Sequence, residues 1–321
     1  MTFHAFLLVR NEADILPQTL PHLLEFCGAV HVLDTGSTDG SWDLVREMAL
    51  REKRLRPFAS APLTGDVSLR GVMFEAVRGT MRDGDWFGRV DADEFYHVPP
   101  PEFVDRFVTR REGRVFAQHY DFPMTRSLWE EWNRSPTSPT TVTTPADIRA
   151  ARRQFIVDTR MWFDARWFRF RRGMRWAPGQ PNPFNPGLAA RVRIPVLHYR
   201  WRNLPQVLDR LSNRAEMAKM DPHGEHWTQA DPESWVVADN DPRLLSWSEE
   251  VSRHIAGSTN PPDGPPLCNV SPGHIEQAPK RQRQEWLYAL GVPRALDVFR
   301  KRWDERSVPG SLRTAFRAAR G

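Results

Sequence analysis

Apolar positions in the first hundred residues alternate between two periods. Phe3 to Val9 is a short apolar run of strand length, after which Leu16, Leu20, Leu23 and Leu24 recur at helical spacing, with Pro17 near the start where its missing N–H is harmless. Val30 to Leu33 predicts a second strand. Past the turn-rich Thr35 to Gly40, Trp42, Val45, Met48 and Ala49 share one helical face, and Leu55 to Phe58 predicts a brief third strand. Leu69, Val72, Met73, Ala76 and Val77 describe an amphipathic helix, and Trp86 to Val90 a fourth strand. The resulting β-α-β-α-β-α-β order folds, through short right-handed crossovers, into a parallel sheet covered on both faces.

Beyond residue 100 the pattern predicts a helix over Glu102 to Arg111 and a strand over Arg114 to Phe122. Ser135 to Pro145 is a Ser/Thr/Pro cluster and hence a loop. Arg152 to Phe170 is rich in arginine and aromatics, Trp176 to Gly187 is a Pro/Asn/Gly loop, and Val192 to Tyr199 predicts the last strand of the sheet. Leu204, Val207, Leu208, Leu211 and Ala215 define a helix with Asn203 as its cap. From Asp221 onward, proline-rich loops separate short helices around Arg243 to Ile255, Gln282 to Leu290 and Arg294 to Trp303. The expected division is an α/β domain over 1–220, with halves 1–100 and 101–220, followed by a helical appendage over 221–321.

The 321 residues sit at the upper edge of what one core serves, and 13 Trp and 18 Phe exclude wholesale disorder. The formal charge of +5 is uneven: 11 basic residues face 4 acidic ones from Lys280 onward, which leaves the first 279 residues at −2. That basic tail is a candidate for peripheral contact with an anionic partner or surface. No apolar run reaches the roughly 18 residues of a membrane span, and Ala5 to Val9 is too short for a signal-peptide core, so a cytoplasmic protein is expected. Cys27 and Cys268 lack the spacing of a zinc site or disulfide framework and are expected as reduced thiols.

In a doubly wound sheet, ligands bind beyond the carboxyl ends of the strands. Those positions here are rich in acids: Arg10-Asn11-Glu12 after the first strand, Asp34 after the second, and Asp91-Ala92-Asp93-Glu94 after the fourth. Such a gathering is costly unless a cation or a ligand's donors offset it. Asp91-x-Asp93 is spaced to reach one hard divalent cation, whose shell water and phosphate oxygens would complete. The chain lacks an EF-hand loop, a phosphate-cradling G-x-x-x-x-G-K-[ST], and a nucleophile elbow.

Leu8-Val9-Arg10-Asn11-Glu12, Leu33-Asp34-Thr35-Gly36-Ser37-Thr38-Asp39-Gly40-Ser41, and Gly84-Asp85-Trp86 through Val90-Asp91-Ala92-Asp93-Glu94-Phe95 together resemble family 2 glycosyltransferases with the GT-A fold. Leu197-His198-Tyr199-Arg200 is similar to a downstream segment of related GT-A enzymes. The resemblance implies a Rossmann-like, mostly parallel sheet with helices on both faces, and a C-terminal helical extension. It further implies that Arg10, Asn11, Glu12 and Asp34 hold the nucleobase of a UDP-, GDP- or dTDP-sugar, and that Arg70 contacts the donor. Asp91 would reach the ribose or the metal, Asp93 and His198 would ligate Mn²⁺ or Mg²⁺, and Arg200 and Arg202 would neutralise the departing diphosphate.

The implied reaction is transfer of a hexosyl or pentosyl group to an acceptor hydroxyl, with inversion, which needs a general base. Asp121, Asp164 and Glu130-Glu131 are the candidates, with Asp164 and Asp121 preferred. Trp129, Trp132, Trp162, Trp167 and Trp176 are candidate acceptor platforms. The acceptor is expected to be a saccharide or envelope intermediate, a modified nucleic-acid base, or a protein or small natural product. The arginines interleaved with aromatics over 152–176 are what admits DNA. A GT-A-like binding module without turnover is the alternative.

Overall fold

The computed structural model describes residues 1–63, 69–134, 147–158, 164–176, 180, 182–220, 231–264, 266–268 and 310–320. The expected loop over Ser135 to Pro145 and the expected helices over Gln282 to Leu290 and Arg294 to Trp303 lie outside these residues, as does Trp162. In chain order the elements are β1 Phe3–Val9, α1 Leu16–Leu24, β2 Ala29–Asp34, α2 Ser41–Arg51, β3 Leu55–Ser60, α3 Leu69–Val77, β4 Trp86–Asp91, β5 Glu94–Tyr96, α4 Pro100–Phe107 and β6 Glu112–Asp121. There follow β7 Met124–Thr125, α5 Arg126–Arg134, α6 Ile148–Ala151, β8 Gln154–Val157, β9 Ala165–Arg169, β10 Leu188–Ala189 and β11 Ile194–His198. The remainder are α7 Leu204–Met220, β12 Val236–Val237, β13 Leu245–Ser246, α8 Glu249–Gly257 and a C-terminal helix, α9, Arg313–Arg320.

The architecture is mixed α/β, and its two compact units interleave in sequence. The first comprises 1–118, 159–196 and 254–321, the second 119–158 and 197–253. In the first unit the strand order is β6-β9-β4-β1-β2-β3. The four strands β4, β1, β2 and β3 are mutually parallel, and β9 enters antiparallel between β4 and β6. Successive strand residues point to opposite faces. On one face Phe3 stacks on Trp86 and meets Trp167, which also meets Phe26 at the foot of α1. On the other, Phe87 and Phe168 pack with Phe74 of α3 and with Trp176.

Two local features hold this packing. Gly88 is paired with Trp167, and a Cβ there would lie 2.6 Å from the indole, so the strand at that point has room only for hydrogen. Helix α3, expected to be amphipathic, has every residue buried, Arg70 and Glu75 included. Its polar side is covered as well as its apolar side because ion pairs compensate it: Glu75 takes Arg175 Nε at 2.9 Å, Arg78 Nε at 3.1 Å and the Trp176 N–H at 2.7 Å. The described end of the basic tail also belongs here. Leu312 and Phe316 are fully buried in the cluster built around α3, and α9 lies against α3 and β3.

The second unit pairs the end of β6 with β8, and β8 with β13, both antiparallel, while β7 pairs with β12. Helices α5 and α7 close over Met124, Trp129, Trp201, Val207 and Leu211. The Asn203 side chain caps α7 by accepting the Gln206 N–H at 2.9 Å. Both cysteines are free, Cys27 buried and its thiol pushed up by that burial. Among the described residues no helix is long and apolar enough to cross a membrane.

Candidate active site

The ends of β1 and β2 are tied together by side chains from the turn between β2 and α2. The Asn11 N–H donates to Ser37 Oγ at 2.9 Å, and Asn11 Oδ1 accepts the Thr38 N–H at 2.8 Å. Those bonds hold Asn11 at φ 54°, a left-handed conformation that asparagine tolerates. The Glu12 N–H donates to Ser41 Oγ at 2.9 Å, and Arg10 Nη1 donates to the carbonyls of Thr35 and Leu63 at 3.4 Å. Arg10, Asn11 and Glu12, three of the four residues expected at the nucleobase, therefore form one ordered edge.

Asp34, the last residue of β2, is fully buried. Its Oδ1 accepts three bonds, from the N–H groups of Gly36 (3.0 Å) and Ser37 (3.1 Å) and from Ser60 Oγ (2.7 Å). Gly36 at φ 99° makes this turn possible, since a Cβ there would stand 3.0 Å from Pro62 Cα. Asp34 Oδ2 is buried without a hydrogen-bond partner among the described residues. A buried acceptor left unsatisfied costs on the order of 1–3 kcal/mol, which a ligand N–H placed there would recover.

The turn after β4 is gripped from three elements. Arg70 of α3, 3% exposed, forms an ion pair with Asp91 Oδ1 and donates to the carbonyls of Val90 (2.9 Å) and Phe6 (3.2 Å). Arg166 of β9 reaches Asp91 Oδ2 at 2.8 Å, Glu94 Oε1 at 2.5 Å and, through Nε, Asp164 Oδ2 at 2.8 Å. The Thr19 hydroxyl of α1 donates to the Ala92 carbonyl. Burial alone would raise the Asp91 carboxyl, but Arg70 and Arg166 outweigh it and hold it well below the ordinary carboxylate range. Its side chain is still 39% exposed, whereas Asp93 is buried.

Asp164, a candidate base, is buried between Arg166 and Arg89, with Arg89 Nη2 at 3.5 Å from its other oxygen. Arg89 is lowered by burial to about 10 and donates to Asn182 Oδ1 at 3.1 Å. In the second unit, Asp121 and His198 meet: His198 Nδ1 lies 2.6 Å from Asp121 Oδ1, and the His119 ring centre stands 5.7 Å from that of His198. Burial opposes ionisation of Asp121, but His198, Arg200 and His119 hold its carboxyl down at about 2. Arg202 is buried and donates to the Tyr199 carbonyl at 3.4 Å, while the Arg200 carbonyl accepts from Gln206 Nε2 at 3.1 Å. Glu130 and Glu131 lie exposed on α5.

Among the described residues no group of three or more His, Cys, Asp or Glu is placed to hold a metal ion. The first unit offers the carboxylates of a single turn, and both Asp91 oxygens there face guanidinium groups. Such a donor set fits a hard cation only when phosphate oxygens and water supply most of the shell.

The arginine and aromatic stretch over 152–176 differs from the expected nucleic-acid surface. Trp167 and Trp176 are fully buried, and Arg166 and Arg175 are committed to carboxylates, so none of these four is available for stacking or phosphate tracking. Arg166 and Thr19, which grip the β4 turn, are not singled out for this site by the sequence. Arg166 reaches the β4 turn through the antiparallel register that pairs Trp167 with Gly88, and nothing in the local apolar pattern encodes that register.

No family model and no curated protein matches this chain. Solved structures similar to it include glycosyltransferases. The mannosyltransferase PcManGT from Pyrobaculum calidifontis, in complex with GDP-Man and Mn²⁺, is 18% identical over 40% of this chain and 37% of its own, with a TM-score of 0.30. S. aureus TarS 1-349 in complex with UDP is 17% identical over 39% of this chain and 36% of its own, with a TM-score of 0.25. The match therefore spans little more than a third of either protein's length. A further structure of S. aureus TarS 1-349 aligns with 100% of this chain and 88% of its own at 13% identity and a TM-score of 0.35.

Proposed function

We propose that the protein is a metal-dependent glycosyltransferase of GT-A type that moves a hexosyl or pentosyl group from a nucleotide-sugar to an acceptor hydroxyl. The observation that carries this is Asp34 Oδ2, a buried carboxylate oxygen without a partner at the same sheet edge as Asp91-x-Asp93. A carboxylate in that position accepts the imide N–H of a uracil or thymine ring. Asn11 and Glu12, whose backbone is fixed by Ser37 and Ser41, shape the base pocket.

Asp93, with Asp91 beside it, would hold Mn²⁺ or Mg²⁺ together with the donor diphosphate. A metal bound there supplies charge neutralisation for the departing nucleoside diphosphate. The protein's own part is to bind the base and orient the diphosphate. Arg200 and Arg202 are proposed as further cations for the leaving group. Asp121 with His198 is the proposed acceptor-activating pair, because Asp121 keeps its side chain 27% exposed while Asp164 is enclosed by two arginines. With Nδ1 donating to Asp121, His198 presents Nε2 as the ring nitrogen with a lone pair for a cation or a proton. The proposed acceptor is a saccharide, and inversion is the proposed outcome.

The test is nucleotide binding by Asp34→Asn. Three donors fix Oδ1 as the oxygen of the new amide, so the NH₂ replaces Oδ2 and faces the ring N–H donor to donor. Calorimetry is expected to show UDP or dTDP affinity falling about 10- to 100-fold; unchanged affinity removes Asp34 from the base site. A second reading, a nucleotide-sugar binding module without turnover, is favoured by the two arginines that occupy Asp91.

A further inference from the structure

Arg166 is 4% exposed, and each of its three nitrogens meets a different carboxylate: Nε that of Asp164 at 2.8 Å, Nη1 that of Asp91 at 2.8 Å and Nη2 that of Glu94 at 2.5 Å. Asp91 and Glu94 open and close the four-residue turn that carries Asp93. A single planar group thus spans both ends of that turn. Because a guanidinium does not lose its proton in a protein and holds its donors in one rigid fork, the grip stays the same at every ordinary pH. Arg70 closes on the other oxygen of Asp91, and Thr19 fixes the Ala92 carbonyl between them.

The base end of the edge is built separately. Asp34 is oriented by Gly36, Ser37 and Ser60, whereas Arg166 is committed to Asp91, Glu94 and Asp164. The two ends can therefore be perturbed independently. Two guanidiniums around Asp91 also disfavour a divalent cation at that carboxylate, which leaves the metal-holding role proposed above to Asp93.

We propose that Arg166 is a positioning residue for the diphosphate end of the nucleotide: it sets the Asp91 to Glu94 turn and contributes nothing to recognition of the base. This rests on the nucleotide-sugar assignment above. The experiment compares uridine, followed by ligand-observed NMR, with UDP plus Mn²⁺, followed by calorimetry. Wild type, Arg166→Lys and Glu94→Gln are measured, with guanosine and GDP as a second ligand pair. Arg166→Lys keeps the charge and loses the fork, and should weaken UDP with Mn²⁺ at least about 10-fold, the low end of what an outer-shell partner of a metal site contributes, while uridine stays within about 2-fold. Glu94→Gln removes one leg of the grip and should shift the same way by about 3-fold, which keeps the test valid if Arg166→Lys does not fold.

Equal losses for nucleoside and diphosphate, or unchanged UDP affinity in the variants that fold, overturn the proposal and leave the donor assignment standing. Wild-type protein that binds none of the four ligands overturns the donor assignment itself.

Discussion

The carboxylates around the β4 turn and the Asp121 carboxylate both face basic side chains, but those side chains differ in kind. Asp91, Glu94 and Asp164 are held by Arg166, with Arg70 also on Asp91, groups that keep their charge at any pH a protein survives. Asp121 is held chiefly by His198, whose ring titrates near neutrality when unperturbed. The first arrangement suits a fixed anchor for a ligand that is always anionic. The second suits proton movement, which is why the acceptor-activating role is proposed for Asp121 and His198 and the binding role for the β4 turn.

The contrast is broken most severely by removing the anchor. Arg166→Met leaves the buried Glu94 and Asp164 and the partly exposed Asp91 without their shared guanidinium, and should cost about 3–5 kcal/mol of stability in urea unfolding. A loss below about 1 kcal/mol would mean that the cluster is solvated and not held. The pH dependence sharpens the contrast at the other region. The Asp121 carboxyl is depressed to about 2 from 3.8, so the unfolded chain binds more protons between those values. Its contribution is therefore complete above about pH 4 and lost as pH falls towards 2, and amounts to about 2 kcal/mol. Asp121→Asn should flatten stability against pH over that window, and an unaltered profile would contradict the pairing. The smallest effect is expected from Thr19→Val, which removes the hydroxyl bonded to Ala92 and leaves the packing volume nearly unchanged. It should cost about 1 kcal/mol, read as a modest fall in thermal midpoint.

Much of the parallel core was legible because its signals are local. The apolar run from Phe3, the leucines from Leu16 and the face from Leu69 coincide with β1, α1 and α3 as observed, since turn residues bracket each one. Helix α4 begins earlier than the pattern predicts, at Pro100, because proline is tolerated in a first helical turn. Asp34, Asp91 and Asp93 stood out for a topological reason: the first two end strands and the third sits in the turn after one. Their partners did not stand out. Arg166 acts through antiparallel pairing with the strand that ends at Asp91, 75 residues upstream of it, and α3 looked amphipathic because ion pairs to Arg70 and Glu75 cannot be read from periodicity. Trp167 and Trp176 looked like a stacking surface for the same reason, since alternation with arginine in a strand describes two faces without saying that both are covered.

The central claim is that the edge formed by Asp34 and the Asp91 to Glu94 turn binds a nucleotide-sugar for turnover. Incubation with a panel of UDP-, GDP- and dTDP-sugars and Mn²⁺ measures it directly through release of free nucleoside diphosphate. The account predicts release from one donor class by wild-type protein and a fall of at least about 100-fold for Asp93→Ala, in line with the several kcal/mol that metal stabilisation of a leaving group is worth. Release that is unchanged in Asp93→Ala, or absent for every donor while nucleotides still bind, would contradict it.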